Sequence, residues 1–338
     1  MRKLVTIQEI IGLNEIPNAD KIELARVMGW NAVVNKGEYH VGDKCVYFEV
    51  DSFLPISPEY EFLRKSSYVN NEYMGEGFRI KTMRLRGCLS QGLIMPITVK
   101  EGLSDLEVGT DVTELMGVKK WELPEIMSSG GIAIGKKPFG IPTTDELRLQ
   151  SNAALGEALK GKPYYITTKM DGTSMTVYHK DGMVGVCGRN DEYKDTPNNA
   201  YWKCAYSYDL PKKLKDNGFN IAIQGELCGH GIQKNRLKLM TPKFFVFDII
   251  DLNTNERLGY EDICKYVKIL GLDMVPVEEV GASFNYTLDE LLVMADGKYD
   301  SGSPKEGIVI RPLIPEYNMD VGSKLSFKVL NNKFLLKE

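Results

Sequence analysis

A Gly-, Pro- and Ser-rich stretch at residues 127–142 constrains the fold of this chain most strongly. Its sequence, MSSGGIAIGKKPFGIP, is the part of the chain richest in these residue types. Such a composition is typical of a connection between domains rather than of a helix or a strand. At about 150 residues per domain, a chain of 338 residues corresponds to about two domains. We therefore predict a first domain at residues 1–126, a linker at 127–142 and a second domain at 143–338.

The first predicted domain consists of short strands separated by turns. Apolar and β-branched residues predict strands at Lys3–Ile11, Ile22–Val27, Ala32–Val34 and Cys45–Val50. Phe78–Lys81 alternates apolar and basic residues, and a shift of phase before Arg84 predicts a β-bulge. Regularly spaced short strands without convincing helices favour a small closed β-barrel.

The second predicted domain mixes helices and strands. Thr143 and Glu146 match a capping box, which predicts a helix through Leu159 that ends at Gly161. The predicted strands are Tyr164–Thr168, Met175–His179, Ile221–Gln224, Phe244–Ile249 and Ile308–Ile310, and the predicted helices are Tyr260–Leu270 and Leu288–Met294. Strands follow strands without regular crossover helices, so we predict an α+β fold with mostly antiparallel sheets.

Composition excludes several classes of protein. No stretch approaches the roughly 20 apolar residues that a membrane-spanning helix needs. The N-terminus lacks the features of a secretory signal, so we expect a cytoplasmic protein without a membrane partner. The six cysteines include no C-x-x-C pair, and there are only three histidines, which argues against a zinc ribbon, a disulfide framework and a histidine-rich metal site.

The net charge of −4 rules out nucleic-acid binding by bulk charge alone, so a basic surface would have to be local. One candidate patch near Phe78 and Tyr73 consists of Arg79, Lys81, Arg84 and Arg86. These cations could follow a phosphate backbone while an aromatic ring stacks on a base. A solvated edge strand that is protected by its charges is an equally good interpretation.

Lys169 and Asp171 are the central candidates for chemistry. They lie in Thr168-Lys169-Met170-Asp171-Gly172, at the end of a predicted strand. A lysine at the end of an apolar strand loses hydration, which lowers its pKa and makes it a usable nucleophile near neutral pH. In an extended chain Asp171 points to the same side and can hold a metal ion or its water. Lys-x-Asp-Gly also occurs by chance, so the motif alone leaves a structural role open.

Further charged residues follow in series near the ends of apolar strands. They are Arg189, Glu226, Asp248, Glu306, Arg311, Lys324 and Lys328. Charged side chains in such positions need partners. Together they predict a cleft that combines a nucleophilic lysine, carboxylates for a divalent cation and cations for a polyphosphate. Taken singly, Arg189, Asp248 and Arg311 are also compatible with structural ion pairs.

This series resembles the nucleotidyltransferase motifs of the covalent superfamily of DNA ligases, RNA ligases and mRNA capping enzymes. Six motifs stand in the superfamily's order within residues 143–338, at Lys169–Gly172, Arg189, Glu226, Phe245–Asp248, Glu306-Gly307 and Lys324–Lys328. The resemblance implies that Lys169 attacks the α-phosphate of a nucleoside triphosphate. The products are a lysyl-nucleotide and pyrophosphate.

The resemblance also implies roles for individual residues. Asp171, Glu226 and Glu306 would hold Mg²⁺ or Mn²⁺ through its waters, and Lys324 and Lys328 would stabilise the transition state at the α-phosphate. The residues expected to contact the nucleotide are Arg148, Thr168, Lys169, Met170, Arg189, Glu226, Phe247, Glu306, Lys324 and Lys328, with Phe247 stacked on adenine. Ser326 stands where a second lysine of the last motif is expected, so Lys328 is the better assignment of the two lysines.

The order of the domains separates members of the superfamily. DNA ligases and capping enzymes carry an OB barrel after the last motif, whereas only ten residues follow Lys328 here. The first domain instead resembles tRNA-binding OB modules at Ile16–Glu23 and Val41–Val46. An N-terminal OB-like β-barrel followed by an α+β nucleotidyltransferase domain resembles the fifth family of ATP-dependent RNA ligases.

Membership of that family implies three reactions. ATP adenylates Lys169, the AMP passes to the 5′-phosphate of a nicked strand, and a 3′-hydroxyl attacks that end and releases AMP. We therefore expect ATP and Mg²⁺ or Mn²⁺ as cofactors, a nicked duplex with an RNA 3′-OH strand as partner, and a monomer. Two alternatives stay open: a capping guanylyltransferase or DNA ligase, and a non-catalytic RNA-binding protein with an OB module.

Overall fold

The structure is a computed structural model that describes residues 2–122 and 131–336. The chain divides into two compact units. The first comprises Met1–Glu125, Gln150–Ala153 and Leu335–Glu338, and the second comprises Ile126–Leu149 and Ala154–Phe334. Residues 127–130 of the predicted linker lie outside the described residues, and the predicted domain boundaries stay a prediction. Within the described ranges, no helix has the length and apolar character needed to cross a membrane.

The first unit is built almost entirely from short antiparallel strands. These are β1 (Val5–Glu9), β2 (Gly12–Glu15), β3 (Ile22–Val27), β4 (Trp30–Asn35), β5 (Lys44–Phe48), β6 (Ser52–Leu54), β7 (Tyr68–Asn71), β8 (Gly75–Arg79), β9 (Thr82–Leu85), β10 (Cys88–Gln91), β11 (Leu93–Pro96) and β12 (Lys119–Lys120), with the short helix α1 (Arg64–Ser67). They pair in the orders β1-β5-β11, β2-β3-β4, β12-β6-β8-β7 and β9-β10. One apolar cluster surrounds Phe48 and Phe78, and another surrounds Trp30 and Tyr47.

The bulge predicted before Arg84 is wrong. Strand β8 ends at Arg79, and β9 begins at Thr82 and pairs with β10 in a different sheet. The shift in the apolar pattern therefore marks the end of one strand and the start of another.

The second unit contains both helices and strands. Its strands are β13 (Ala133–Lys136), β14 (Leu147–Arg148), β15 (Tyr164–Lys169), β16 (Thr173–Lys180), β17 (Met183–Cys187), β18 (Asp191–Tyr193), β19 (Ile221–Cys228), β20 (Lys243–Asp251), β21 (Glu256–Arg257), β22 (Asp273–Met274), β23 (Val277–Gly281), β24 (Gly307–Pro312), β25 (Tyr317–Asn318), β26 (Ser323–Lys324) and β27 (Phe327–Leu330). The helices are α2 (Ala154–Leu159), α3 (Ala200–Ser207), α4 (Leu210–Asp216), α5 (Tyr260–Leu270), α6 (Leu288–Ala295) and α7 (Asn332–Leu335). The predicted helix at Tyr260–Leu270 has the bounds of α5.

Two sheets organise the second unit. The larger has the order β13-β18-β17-β16-β19-β20-β21 with β22 beside β20, and the smaller has the order β14-β27-β24-β15-β23. All pairs are antiparallel except β14–β27 and β20–β22. The predicted α+β class with mostly antiparallel sheets is confirmed.

The smaller sheet has one apolar face and one polar face. Ile166 on β15, Ile310 on β24 and Phe327 on β27 are register partners, and all three are buried in a core that includes Leu291 of α6. Successive side chains of a strand point to opposite faces. Lys169, Arg311 and Lys328 alternate with these apolar residues and therefore share the other face.

The larger sheet follows the same rule. Met175, Val177 and Ile223 lie in a core with residues of helices α3, α4 and α5. Ser174 on β16 pairs with Glu226 on β19, and both alternate with those core residues. Each sheet therefore keeps a polar face, and these faces carry the charged residues singled out in the sequence.

The helix predicted from the Thr143 capping box is wrong. Leu147–Arg148 forms a strand parallel to β27, and the helix that follows covers only Ala154–Leu159. The carboxylate of Glu146 forms ion pairs with Arg311 and Lys324 instead of capping a helix. These tertiary contacts outweigh the local preference, which is worth about 1 kcal/mol.

Gly307 offers a test of how closely these strands pack. Its φ is +152°, and a Cβ there would collide with the carbonyl oxygen of Val329 on the neighbouring strand. We expect Gly307→Ala to lower the free energy of unfolding by about 2–4 kcal/mol, from strain and steric overlap. Gly302→Ala is the control, since Gly302 also has a positive φ, of +81°, but faces open space. Urea unfolding that gave equal losses for both variants would contradict this packing.

Candidate active site

Lys169 lies at the end of β15, where that strand stops pairing with β24. Its Cα partner is Gly307, and the side chain of the preceding residue, Glu306, reaches back to it. The Nζ of Lys169 and the Oε2 of Glu306 are 2.7 Å apart, and each side chain is about one-fifth exposed. The two residues form an ion pair at a partly open position on the polar face of the smaller sheet.

Asp171 and Glu226 complete the acidic surroundings of Lys169. A Cβ on Gly172 would collide with the carbonyl oxygen of Leu227, so the glycine allows β19 to come close to this turn. Both carboxylates interact electrostatically with Lys169. The Oδ2 of Asp171 also lies 3.2 Å from the Nε of Arg236. Three carboxylates thus surround Lys169, and one of them also contacts Arg236.

The expectation that burial lowers the pKa of Lys169 is wrong for this ligand-free arrangement. Burial alone lowers the pKa, but the carboxylates of Glu306 and Glu226 outweigh it, so the pKa of Lys169 is raised. Loss of hydration is only one of the effects on the pKa of this lysine, and the neighbouring carboxylates are the other. The lysine is therefore held in its protonated form until other charges alter its surroundings.

The acidic group has an excess of negative charge that a cation would offset. Burial raises the pKa of Glu226 to about 8, and Glu306 and Asp171 act in the same direction. Burial and Glu306 also raise the pKa of Asp171. In the described part of the chain, no group of three or more His, Cys, Asp or Glu side chains is arranged to ligate a metal ion directly. The raised pKa values of Glu226 and Asp171 mark a concentration of negative charge that a hydrated divalent cation would offset.

Lys328 and Arg148 lie in the same sheet as Lys169, in a row of register partners that crosses the strands two residues before Lys169. Arg148 pairs with Lys328 on β27, Lys328 with Val309 on β24, and Val309 with Thr167 on β15. Because Thr167 precedes Lys169 by two residues, the side chains in this row point to the same face as Lys169. The structure therefore places two cations one row away from the lysine.

Phe247 lies at an irregularity in the pairing of β19 with β20. Its half-buried ring packs near the cluster of Met170, Cys228 and Val275. The guanidinium carbon of Arg311 lies 5.6 Å from the ring centroid. The predicted stacking residue thus packs at the edge of the cluster that contains Met170 of the lysine motif.

Lys324 belongs to a second group of charges, centred on Glu146. The Oε1 of Glu146 lies 2.8 Å from both the Lys324 Nζ and an Arg311 nitrogen. Burial lowers the pKa of Lys324 to about 8, although Glu146 opposes this. Arg311 is four residues along β24 from Gly307, or roughly 13 Å. Between the two lysines, the register therefore favours Lys328 for a contact close to Lys169.

The other predicted residues have identifiable partners. Arg189 forms an ion pair with Asp145, and Asp248 forms one with Arg257. The Thr168 hydroxyl donates to Glu278 on the opposite side of β15 from Lys169, so only its backbone could reach a nucleotide on the polar face. The Met170 side chain is buried. Asp248 and Arg311 thus each form an ion pair within the second unit, which agrees with the structural interpretation that the sequence left open.

The basic patch of the first unit is smaller than predicted. Arg79 is mostly buried, lies 3.7 Å from Asp51 and stacks on Trp121. Phe78 is fully buried and offers no face to a base. Lys81, Arg84 and Arg86 are exposed, as is Tyr73. Three of the four predicted cations therefore remain available to a ligand.

Three residues at the site escaped the sequence analysis as contributors to it: Glu146, Arg236 and Tyr299. Glu146 was interpreted as a helix cap. Arg236 lies in a loop with Lys234 and Lys238, and this run of positive charges was its only signal. Tyr299, whose hydroxyl donates a hydrogen bond to the carbonyl oxygen of Lys169, is a single tyrosine in a loop, and no sequence pattern distinguishes it.

The Glu146 group allows a test of the pH dependence of stability. Burial alone raises the pKa of Glu146, but Lys324 and Arg311 outweigh this and lower it to about 2 from about 4.5. A depressed carboxyl pKa stabilises the fold above pH 4.5, and this contribution is lost as the pH falls towards 2. We expect Glu146→Gln to cost about 3 kcal/mol at pH 7 in urea unfolding, and less as the pH falls below 4.

Glu316→Gln is the matched control for this experiment. Glu316 pairs with Lys162 at the surface, where both side chains are about two-fifths exposed. Such a pair contributes about 0–1 kcal/mol. Equal losses for the two variants at pH 7 would show that the Glu146 group does not stabilise the fold.

Comparisons with known proteins agree with this geometry. Residues 4–97 match the family model of an OB-fold domain, and residues 162–330 match that of RNA ligase. The structure of Naegleria gruberi RNA ligase with PPi is 38% identical, with a TM-score of 0.90, and the match covers 100% of this chain and 99% of that one.

Structures of variants of that enzyme match equally well. The structure of one variant with ATP and Mn is 37% identical with a TM-score of 0.91, and that of another with AMP and Mn is 38% identical with a TM-score of 0.91. Both matches cover 100% of this chain and 99% of the other. None of the curated proteins searched matches the chain. The first unit thus contains an OB-fold domain, and the chain belongs to the RNA ligase family.

Proposed function

We propose that this chain is an ATP-dependent RNA ligase that seals nicks between a 3′-hydroxyl and a 5′-phosphate through an AMP on Lys169. The observation that carries the proposal is the contact of the Lys169 amine with Glu306, with Asp171 and Glu226 around it. Lys328 and Arg148 on the same face add the positive charge that a triphosphate needs.

The spacing of residues in the Naegleria enzyme supports this assignment. Its crystallised variants replace a lysine, an aspartate two residues later and a glutamate further along. Lys169, Asp171 and Glu226 stand at the same intervals in this chain. A further variant replaces a lysine that precedes the first one, and Lys120 occupies the corresponding interval here. We infer that Lys120, which lies in the first unit beyond the residues that match the OB-fold model, is a functional residue.

In the first step the Lys169 Nζ attacks the α-phosphorus of ATP. The bond from that phosphorus to the bridging oxygen breaks, and pyrophosphate leaves. The ammonium group must first pass a proton to water or to the Glu306 carboxylate, which lies 2.7 Å from the Nζ. Asp171, Glu226 and Glu306 would hold a hydrated divalent cation, whose positive charge would lower the pKa of the lysine and offset the charge on the phosphate.

Other residues of the polar face bind and orient the nucleotide. Phe247 offers a ring for the adenine base, and this ring lies near Arg311 of β24. Lys328 lies one row from Lys169, where it can stabilise the charge that develops on the α-phosphate. Arg148 is next to Lys328 and can hold the nucleotide or the 5′-phosphate of the RNA. These residues thus position the nucleotide and neutralise the charge of its phosphates, which are the two contributions that phosphoryl transfer requires.

In the second step the 5′-phosphate of the nick attacks the lysyl-AMP, and Lys169 leaves. In the third step the 3′-hydroxyl attacks the adenylylated end, and AMP leaves. The exposed cations Lys81, Arg84 and Arg86 of the OB-fold domain are suited to contact the phosphate backbone of the duplex.

The first step predicts a covalent label on the protein. Wild-type protein incubated with α-labelled ATP and Mg²⁺ or Mn²⁺ should retain label in a denaturing gel. Lys169→Ala and Lys169→Arg should both retain none, because neither offers a free amine of the right reach. Lys305→Ala is the control, since that lysine directly precedes Glu306 but is buried against Glu278. Label from GTP instead of ATP, or label on Lys169→Ala, would contradict the proposal.

The basic patch predicts a change in salt dependence. We expect the double variant Arg84→Ala/Arg86→Ala to bind nicked RNA duplex more weakly, and its plot of log K against log salt to lose about 1–2 units of slope. Label transfer from ATP should not change. Lys212→Ala/Lys265→Ala removes two exposed lysines of the second unit and serves as the control. Equal slopes for the wild type and both double variants would show that the patch is not part of the RNA-binding surface.

A further inference from the structure

The hydroxyl of Tyr299 connects the two strand ends that carry Lys169 and Glu306. It donates a hydrogen bond of 2.7 Å to the carbonyl oxygen of Lys169 and accepts one of 3.0 Å from the amide of Glu306. The pairing of β15 with β24 ends at Lys169 and Gly307. The hydroxyl thus links the two backbones at the point where the strands stop.

The backbone of Glu306 is held on its other side as well. Its carbonyl oxygen accepts a hydrogen bond of 2.9 Å from the amide of Asn331, which follows β27. Two hydrogen bonds therefore fix the peptide groups on either side of the Glu306 Cα. This leaves rotation within its side chain as the main freedom of the carboxylate that contacts the Lys169 amine.

The loop that carries Tyr299 is also joined to the loop that carries Arg236. The Ser301 hydroxyl donates a 2.6 Å hydrogen bond to the carbonyl oxygen of Arg236, and the Lys238 amine donates one of 3.2 Å to the carbonyl oxygen of Ser301. Arg236 in turn stands 3.2 Å from Asp171, and its guanidinium carbon lies 4.1 Å from the centroid of the Phe334 ring. Two loops without regular structure are thus joined to each other, and both contact the lysine motif.

These contacts form a closed ring. Lys169 is hydrogen-bonded to Tyr299, and the loop that follows Tyr299 is hydrogen-bonded through Ser301 to Arg236. Arg236 contacts Asp171, which is two residues from Lys169 in the chain and so closes the ring. We propose that Tyr299 and Arg236 are positioning residues that together hold Lys169, Glu306 and Asp171 in the arrangement that the first step needs. Neither residue contacts the reacting atoms. The kinetic consequences of this inference rest on the proposed function, whereas the contacts that form the ring do not depend on it.

A positioning role follows from the sensitivity of group transfer to geometry. The amine must approach the α-phosphorus in line with the leaving pyrophosphate, and a displacement of about 1 Å can cost about 100-fold in rate. A residue that fixes this approach without touching ATP changes the rate at saturating ATP and leaves ATP affinity nearly unchanged. A residue that only stabilises the fold changes neither.

Tyr299→Phe removes one oxygen and both hydrogen bonds while it keeps the ring. We expect the single-turnover rate of Lys169 adenylation at saturating ATP to fall about 10- to 100-fold. ATP affinity, measured by calorimetry, should stay within about threefold of the wild type. Tyr286→Phe is the matched control, because that hydroxyl donates to Glu279 next to the core face of the sheet. It should melt at a temperature similar to that of Tyr299→Phe and keep the wild-type rate.

The pair of residues can be tested as a unit. Arg236→Met should also slow adenylation, and Arg236→Lys should restore part of the rate because it keeps a charge beside Asp171. If the ring acts as one unit, Tyr299→Phe/Arg236→Met should lose less than the product of the two single losses. Strictly multiplicative losses would overturn the joint role, and an unchanged rate for Tyr299→Phe would overturn the inference for Tyr299.

A measurement without ATP separates this inference from the proposed function. The modification rate of Lys169 by an amine-reactive reagent can be followed by peptide mass spectrometry in the ligand-free protein. Tyr299→Phe should raise this rate several-fold relative to wild type and Tyr286→Phe, because Glu306 then holds the amine less firmly. Absence of label transfer from ATP in the wild type would contradict the proposed function alone. Unchanged modification of Lys169 in Tyr299→Phe would contradict the ring alone.

Discussion

The contact between Lys169 and Glu306 depends on the ends of two antiparallel strands. Strands β15 and β24 bring the two residues together only because Lys169 pairs with Gly307, and Gly307 can adopt its conformation only without a side chain. The same contact keeps the lysine protonated, since the carboxylate raises a pKa that burial would lower. The pair with Glu306 therefore favours the charged form of the lysine over the nucleophilic amine. Binding of a cation and a nucleotide has to change the charges around the amine before reaction.

The alternation of side chains along the two sheets explains why the charged residues gather in one place. Each sheet of the second unit buries one face in an apolar core and leaves the other to polar residues. Lys169 and Lys328 occupy such positions on the smaller sheet, and Glu226 occupies one on the larger. A single shift of register in either sheet would turn these side chains into the core. The chemistry and the core are therefore specified by the same pattern.

Much of this arrangement could be predicted from the sequence, and the failures have physical reasons. Strand-end charges such as Lys169, Glu226 and Glu306 are visible because they interrupt apolar runs. Glu146 was assigned to a helix cap because its partners, Arg311 and Lys324, are distant in sequence. Tyr299 and Arg236 act from irregular loops, where no periodicity predicts which side chain turns inward. The direction of the Lys169 pKa shift likewise required neighbours that only the fold supplies.

The location of the covalent AMP tests the central claim most directly. Wild-type protein would be incubated with ATP and Mg²⁺ or Mn²⁺, digested under conditions that preserve a phosphoramidate, and mapped by mass spectrometry. The account predicts one adenylyl group on the peptide that contains Lys169, and its discharge when nicked RNA duplex is added. An adenylyl group on any other residue, or none on a folded protein with bound ATP, would contradict the account.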